Sequence, residues 1–209
     1  MKKSTILAVL LFLFLPSLKT AATDNYANMV LDNVIKMYKA AKGISVKYIL
    51  TSGQGQASGN IVMQGQQFRM LSNDLKCWYN GTTQWSYTSI SGEVNITKPS
   101  AEELQLVNPY AIISGFKNAY TARRLNTSTT SHHDLLLTPK SKTNAEISAI
   151  GLTISRRMYL PTKIVITLRD KSYLIVTLSH YKTGQNFPAS TFTFDKSLVP
   201  SSAQVVDLR

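Results

Sequence analysis

Apolar residues fall three and four apart from Tyr26 to Ala41, where Tyr26, Met29, Val30, Val34, Met37 and Ala41 make one stripe of a helix. Asp24 suits its N-cap, and Gly43 suits the position just past its C-terminus. At Gly43 the period drops to two. Ile44, Val46, Tyr48 and Leu50 alternate with Ser45, Lys47 and Thr51, the pattern of a half-buried strand. Turn residues at 52–55, 65, 73–74, 80–81 and 91–92 then separate strands over 57–64, 68–71, 75–79, 82–88 and 93–97. Asn80-Gly81 predicts a two-residue hairpin. The whole stretch reads as an antiparallel meander.

The pattern then breaks. Pro99 and a Ser100-Ala-Glu-Glu103 capping box predict a short helix to about Val107, and Asn108-Pro109 restarts it through Tyr110 to Phe116. Strands resume over 119–125, 135–137, 149–155, 160–168, 173–181 and 191–194. Leu104, Val107, Tyr110, Ile112, Ile113 and Phe116 are more apolar surface than two short helices can leave in water. They need an apolar support, and roughly ten alternating strands supply one as a curved sheet or incomplete barrel. The expected class is α+β, mainly β.

The first 22 residues change the picture by giving an address. Lys2 and Lys3 precede an unbroken apolar run from Ile6 to Leu15, and Thr20-Ala21-Ala22 ends in small residues. This is the pattern of a cleavable secretory signal. A run of ten residues is too short for the ~20 of a membrane span. Residues 23–209 are then expected to form one exported domain. The formal charge of +12 falls to +9 once the leader's three lysines are removed. Basic residues are scattered, so an anionic surface and plain solubility both fit. No basic run interleaved with aromatics points to nucleic acid. Cys77 is the only cysteine, so no internal disulfide forms and the fold relies on its core, with Cys77 as a small buried hydrophobe.

Candidate chemistry is thin. His132-His133-Asp134 lacks the spacing of a metal site, and neighbours on an extended segment point to opposite sides. No Gly-x-Ser-x-Gly elbow occurs, and no carboxylate pair stands out among eleven acids. Neither catalysis nor a metal or cofactor is expected. What remains is apolar surface: Phe68, Met70, Trp78, Trp85, Tyr87 and Val94 crowd one meander. Such residues line adaptable apolar pockets, and each taken alone also reads as plain core.

The order of helix, strands, Trp85-Ser-Tyr87, Asn108-Pro109-Tyr110, Leu135-Leu-Leu-Thr-Pro139, Leu160-Pro-Thr-Lys-Ile-Val165 and Val205-Val-Asp207 resembles the periplasmic outer-membrane lipoprotein carrier family, LolA. The likeness spans the mature chain through loose patterns. It implies a half-open antiparallel barrel, an N-terminal helix, and a helical lid over an apolar cavity for acyl chains. It further implies acylated lipoproteins as cargo, an inner-membrane ABC transporter as donor, an outer-membrane acceptor in some bacteria, and a monomeric periplasmic carrier. Phe68, Met70, Tyr110 and Ile113 match the family's cavity positions, and Trp85 and Tyr87 its aromatic strand. With Val94, Leu104, Ile112 and Phe116 they make the expected acyl site. One departure stands out: Gly65-Gln66 occupies the place of the Arg-Pro whose arginine helps latch the family's lid. A lipid-binding or envelope-sensing module without shuttling, a structural exported β-protein, and, last, an exported hydrolase are the competing readings.

Overall fold

The computed structural model describes residues 24–101, 103–104, 109–140 and 146–209. The expected leader, Val107, Asn108 and the side chains of Tyr110 and Ile112 lie outside what it describes. Asp24 caps helix α1 (Asn25–Ala40), its Oδ1 accepting from the Tyr26 N–H at 2.8 Å. The buried face of α1 is Ala27, Val30, Leu31, Val34 and Tyr38, rotated from the expected stripe so that Met29 is left 49% exposed. A six-residue pattern at helical spacing cannot distinguish adjacent faces; the sheet beneath does. Gly43 also has a different task from the one expected. Lys42 carries the left-handed turn after the helix, with φ at 55°. At Gly43 a Cβ would meet the Gln185 carbonyl at 2.7 Å and the Phe187 ring at 2.9 Å, so glycine permits that close approach.

Among the described residues twelve strands follow as one curved, unclosed sheet: β1 (Gly43–Ser52), β2 (Gly55–Gln64), β3 (Gln67–Ser72), β4 (Leu75–Tyr79), β5 (Gln84–Thr88), β6 (Glu93–Thr97), β7 (Tyr120–Arg124), β8 (His132–Pro139), β9 (Ile147–Ser155), β10 (Pro161–Leu168), β11 (Tyr173–Gln185) and β12 (Gln204–Asp207). Their order is β12-β6-β5-β4-β3-β2-β1-β11-β10-β9-β8-β7. The half-open barrel is thus present. β11 outruns its expected end at residue 181 because its pairing with β1 carries two register shifts, with φ of 55° at His180 and 72° at Gly184. Such bulges bend a strand and help the sheet curl.

Turn chemistry sets the other boundaries. The Asn80 side chain accepts from the Thr82 and Thr83 N–H groups at 3.0 and 2.9 Å, so β5 begins at Gln84 and not at Thr82. The capping box forms as expected: the Ser100 N–H reaches Glu103 Oε2 at 2.7 Å, and the Glu103 N–H reaches Ser100 Oγ at 3.2 Å. Helices α2 (Pro109–Ser114) and α3 (Phe116–Ala119) follow. Two expectations fail at the C-terminus. The segment 191–194 is no strand: Ala189–Phe192 is a 3-10 turn after Pro188, and its alternate phenylalanines anchor on the sheet instead of joining a ladder. The sheet is also not wholly antiparallel, because β12 returns to pair with β6 in parallel.

Both edges are blunted. The Asp24 N–H donates to the Ala122 carbonyl at 2.9 Å, and the Arg124 N–H donates to Asp24 Oδ2 at 3.2 Å, so the N-cap residue also occupies the free edge of β7. The opposite edge is the four-residue β12. Among the described residues no helix is long and apolar enough to cross a membrane.

Candidate functional site

Period-two alternation gives each strand one side chain per face, and register fixes which residues share it. On the concave face Met63 pairs with Phe68, Phe68 with Tyr79, and Met70 with Ile61 and Cys77. These residues join Val46, Tyr48, the buried face of α1, Ile113 of α2 and Phe116 of α3 in one apolar cluster. Leu104 packs against it half-buried. Phe68 and Ile113 are fully buried, so the helices lie closed on the sheet.

The structure divides the expected site. Trp78 pairs with Trp85, Lys76 with Tyr87, and Tyr87 with Val94, which places these side chains on the convex face. There Trp78, Tyr87, Val94 and Val199 form a second cluster, with Leu71, Trp85, Phe194, Leu198 and Ala203 packed around it. Phe194 meets Trp78 edge-on at 5.4 Å. Trp85, Tyr87 and Val94 therefore do not meet Phe68, Met70, Leu104, Ile113 and Phe116; the thickness of the sheet separates them. Counting residues through the turns at 73–74 and 80–81 carries this sorting, since it puts Phe68 and Met70 with Cys77 and Tyr79, and Trp85 and Tyr87 with Trp78. Tyr48, Ile61 and Met63 were absent from the expected site, although the alternation in β1 and β2 marks them.

An opening of about 210 Å³ lies between the end of α1 and the β2–β3 turn, lined by Tyr38, Lys39, Lys42, Ile44, Met63 and Gly65. It reaches the concave cluster through Ile44 and Met63, the latter beside Phe68. At the family's arginine position the chain makes a turn at Gly65, φ 60°. The preceding Gln64 engages the C-terminal segment: Phe187 N–H donates to its Oε1 at 2.9 Å and its Nε2 to the Phe187 carbonyl at 3.3 Å. The polar tie on the helices is elsewhere. Lys117 of α3 pairs with Asp32 of α1 at 2.8 Å, and Lys140 Nζ donates to the Lys117 carbonyl.

Burial pushes the Cys77 thiol up to about 12, leaving it neutral and inert. His133 points inward with 2% exposure, while His132 turns to Asp134 at 3.3 Å, as alternation requires. Among the described residues no three potential metal ligands gather.

The family model for outer membrane lipoprotein carrier protein LolA matches residues 18–171. No curated protein matches the chain by sequence. Among solved structures, an uncharacterized conserved protein from Thermus thermophilus is similar at 13% identity and TM-score 0.58, over 87% of this chain and 99% of its own. A LolA superfamily protein from Nitrosomonas europaea is 12% identical with TM-score 0.46, over 83% of this chain and 99% of that one. The MucA/MucB complex of Pseudomonas aeruginosa gives 11% and 0.47, over 82% and 62%. The Thermus protein shares the fold; the other two likenesses are looser.

Proposed function

The chain belongs to the LolA family of outer membrane lipoprotein carrier proteins, and we propose that it binds the acyl chains of lipoproteins against the concave face of its sheet. One observation carries the reading: an apolar concave surface, from Val46 and Ile61 to Phe68 and Met70, is roofed partly by the short helices α2 and α3. Burying acyl methylenes is worth about 0.8 kcal/mol each, so a carrier must hold its cargo strongly and still release it. Helices this short can be displaced by incoming chains, and their return to the sheet offsets part of the binding energy and aids release. The opening at Ile44 and Met63 is the way in. In this reading Phe68, Met70, Leu104, Ile113 and Phe116 line the acyl site with Tyr110 and Ile112 on α2, and Trp85, Tyr87 and Val94 hold the convex face.

The setting that follows is the periplasm, reached through cleavage of residues 1–22. An inner-membrane ABC transporter is the donor and an outer-membrane acceptor the recipient, with the carrier working as a monomer and no catalytic step.

The test is titration with a fluorescently labelled triacylated lipopeptide and its deacylated twin. Trp78 and Trp85 sit on the wrong face to report binding, so the label belongs on the ligand. Saturable binding of the acylated form alone is expected, and Ile113→Glu on the short helix should abolish it with far-UV circular dichroism unchanged, whereas Phe68→Glu should also lower stability by burying a carboxylate. Equal or absent binding of the two forms overturns the acyl site. Transfer of bound lipopeptide between vesicles then separates a shuttle from a sensing module.

A further inference from the structure

Tyr26, in the first turn of α1, lies beside the β7–β9 edge of the sheet, where three other elements meet it. Its hydroxyl is 2.7 Å from His133 Nδ1 on β8 and accepts from Arg156 Nη2, just after β9, at 3.1 Å. The Arg124 guanidinium of β7 stacks on its ring, 4.7 Å from the centroid. The hydroxyl oxygen can accept a second bond as well as donate one, so the imidazole tautomer sets which of Tyr26 and His133 Nδ1 gives the proton they share. The imidazole Nε2 is buried with no hydrogen-bond partner among the described residues. Tyr159, stacked on the imidazole at 5.6 Å, is held at φ 50°, a conformation in which a bulky residue is an outlier.

Two carboxylates, Asp24 and Asp134, stand near the two guanidiniums, and each is engaged by other groups. Neither guanidinium forms an ion pair with a described residue. Asp24 commits its carboxylate to the backbone N–H groups of Tyr26 and Arg124. Asp134 is turned to His132 and to the Thr153 hydroxyl, 2.8 Å away. Arg156 spends Nε on the Thr129 carbonyl and Nη2 on the Tyr26 hydroxyl, leaving Nη1. The Arg124 guanidinium and Arg156 Nη1 have no acceptor among the described residues.

We propose that Arg124 and Arg156, set around Tyr26, form an anion site for the phosphate group of a ligand. One guanidinium approaches over the ring face and the other at the hydroxyl end. An oxyanion serving both needs oxygens in more than one plane, which tetrahedral phosphate has and planar carboxylate lacks. A lipid headgroup and a soluble phosphate ester offer the same chemistry. The site stands apart from Phe68 and Met70 on β3 and does not depend on the acyl reading.

The experiment is an NMR titration at constant ionic strength, following the His133 imidazole. Burial, Arg156, Arg124 and His132 hold its pKa below the ordinary value, and a bound phosphate raises it. The probes are glycerol 1-phosphate, dihexanoyl phosphatidylglycerol below its micelle concentration, and acetate. Glycerol 1-phosphate should saturate, bind about tenfold more tightly than acetate, and lose about tenfold in Arg124→Gln and in Arg156→Gln, the equivalent of one charge-assisted hydrogen bond. Tighter binding of the lipid assigns a headgroup; equal binding assigns a soluble ester. Either source supports the site. Acetate binding as well as phosphate, or exposed Arg124→Gln leaving phosphate affinity unchanged, overturns it, whatever Arg156→Gln does to the fold. Lipopeptide binding should survive Arg124→Gln, so failure of one site is distinguishable from failure of the other.

Discussion

The two apolar clusters of this protein meet back to back on β3 and β4 and are covered in different ways. Phe68, Met70 and Cys77 face inward from β3 and β4, beneath α1 and the short helices carrying Ile113 and Phe116. Trp78 faces outward from the same β4, with Tyr87 and Val94 of β5 and β6, beneath the C-terminal segment carrying Phe194 and Val199. The outer cover is fastened at both ends, by Gln64 on Phe187 and by the β12 ladder on β6. The inner helices are tied to α1 by the exposed pair Lys117–Asp32. The difference teaches where movement is cheap. An exposed ion pair contributes about 1 kcal/mol or less, whereas a ladder plus an aromatic anchor opens only with much of the sheet.

The sharpest break of this comparison is a pair of truncations. Trp78→Ala should cost about 3–5 kcal/mol in urea denaturation while lipopeptide affinity of the folded fraction stays unchanged. Ile113→Ala should do the reverse, changing lipopeptide affinity with little movement of the global unfolding midpoint. If both variants shift both readouts alike, the two clusters are one cooperative core and the lid reading falls. Next comes Gly59→Ala. Its Cβ would collide with the Leu71 carbonyl oxygen, so β2 and β3 must separate locally and disturb both faces, at about 1–3 kcal/mol in the same denaturation assay.

A smaller effect follows from His133, which pins α1 through Tyr26. Its folded-state pKa is depressed, by burial first and then by Arg156, Arg124 and His132. Below the ordinary value of about 6.5 the unfolded chain therefore binds more protons than the folded one. Stability should fall as pH drops below about 6.5, by at most about 1.4 kcal/mol per pH unit from this group, until the folded value is reached. Urea midpoints at neutral and mildly acid pH measure this slope, and His133→Asn should flatten it. The smallest effect is Asp32→Asn, which should speed hydrogen exchange at Ile113 to Phe116 by about fivefold at most, with α1 unaffected. An unchanged exchange rate would mean the ion pair does not restrain the helices.

Much of this architecture was legible because it rests on local rules. Alternation located the strands of the meander, Asp24 and the Ser100–Glu103 box capped their helices, and the apolar residues of the interrupting helices demanded a support. The candidate site was legible only in part. Phe68, Met70, Leu104, Ile113 and Phe116 belong to one cluster, whereas closeness along the chain groups Trp85, Tyr87 and Val94 with them and a sheet separates near neighbours by parity. Met29 falls outside the buried face of α1 for a related reason: helical spacing defines a stripe, and the surface that receives it selects which stripe is buried.

By itself the sequence determined the elements, their caps and turns, and the pool of apolar side chains, because these depend on contacts within a few residues. Only the tertiary structure decided which face of the sheet receives α1 and the short helices, that the last residues return as a parallel strand on β6, and that Arg124, His133 and Arg156 gather around Tyr26. Those outcomes rest on pairings between residues as far apart as 26 and 156, and no local pattern encodes the register that brings them together.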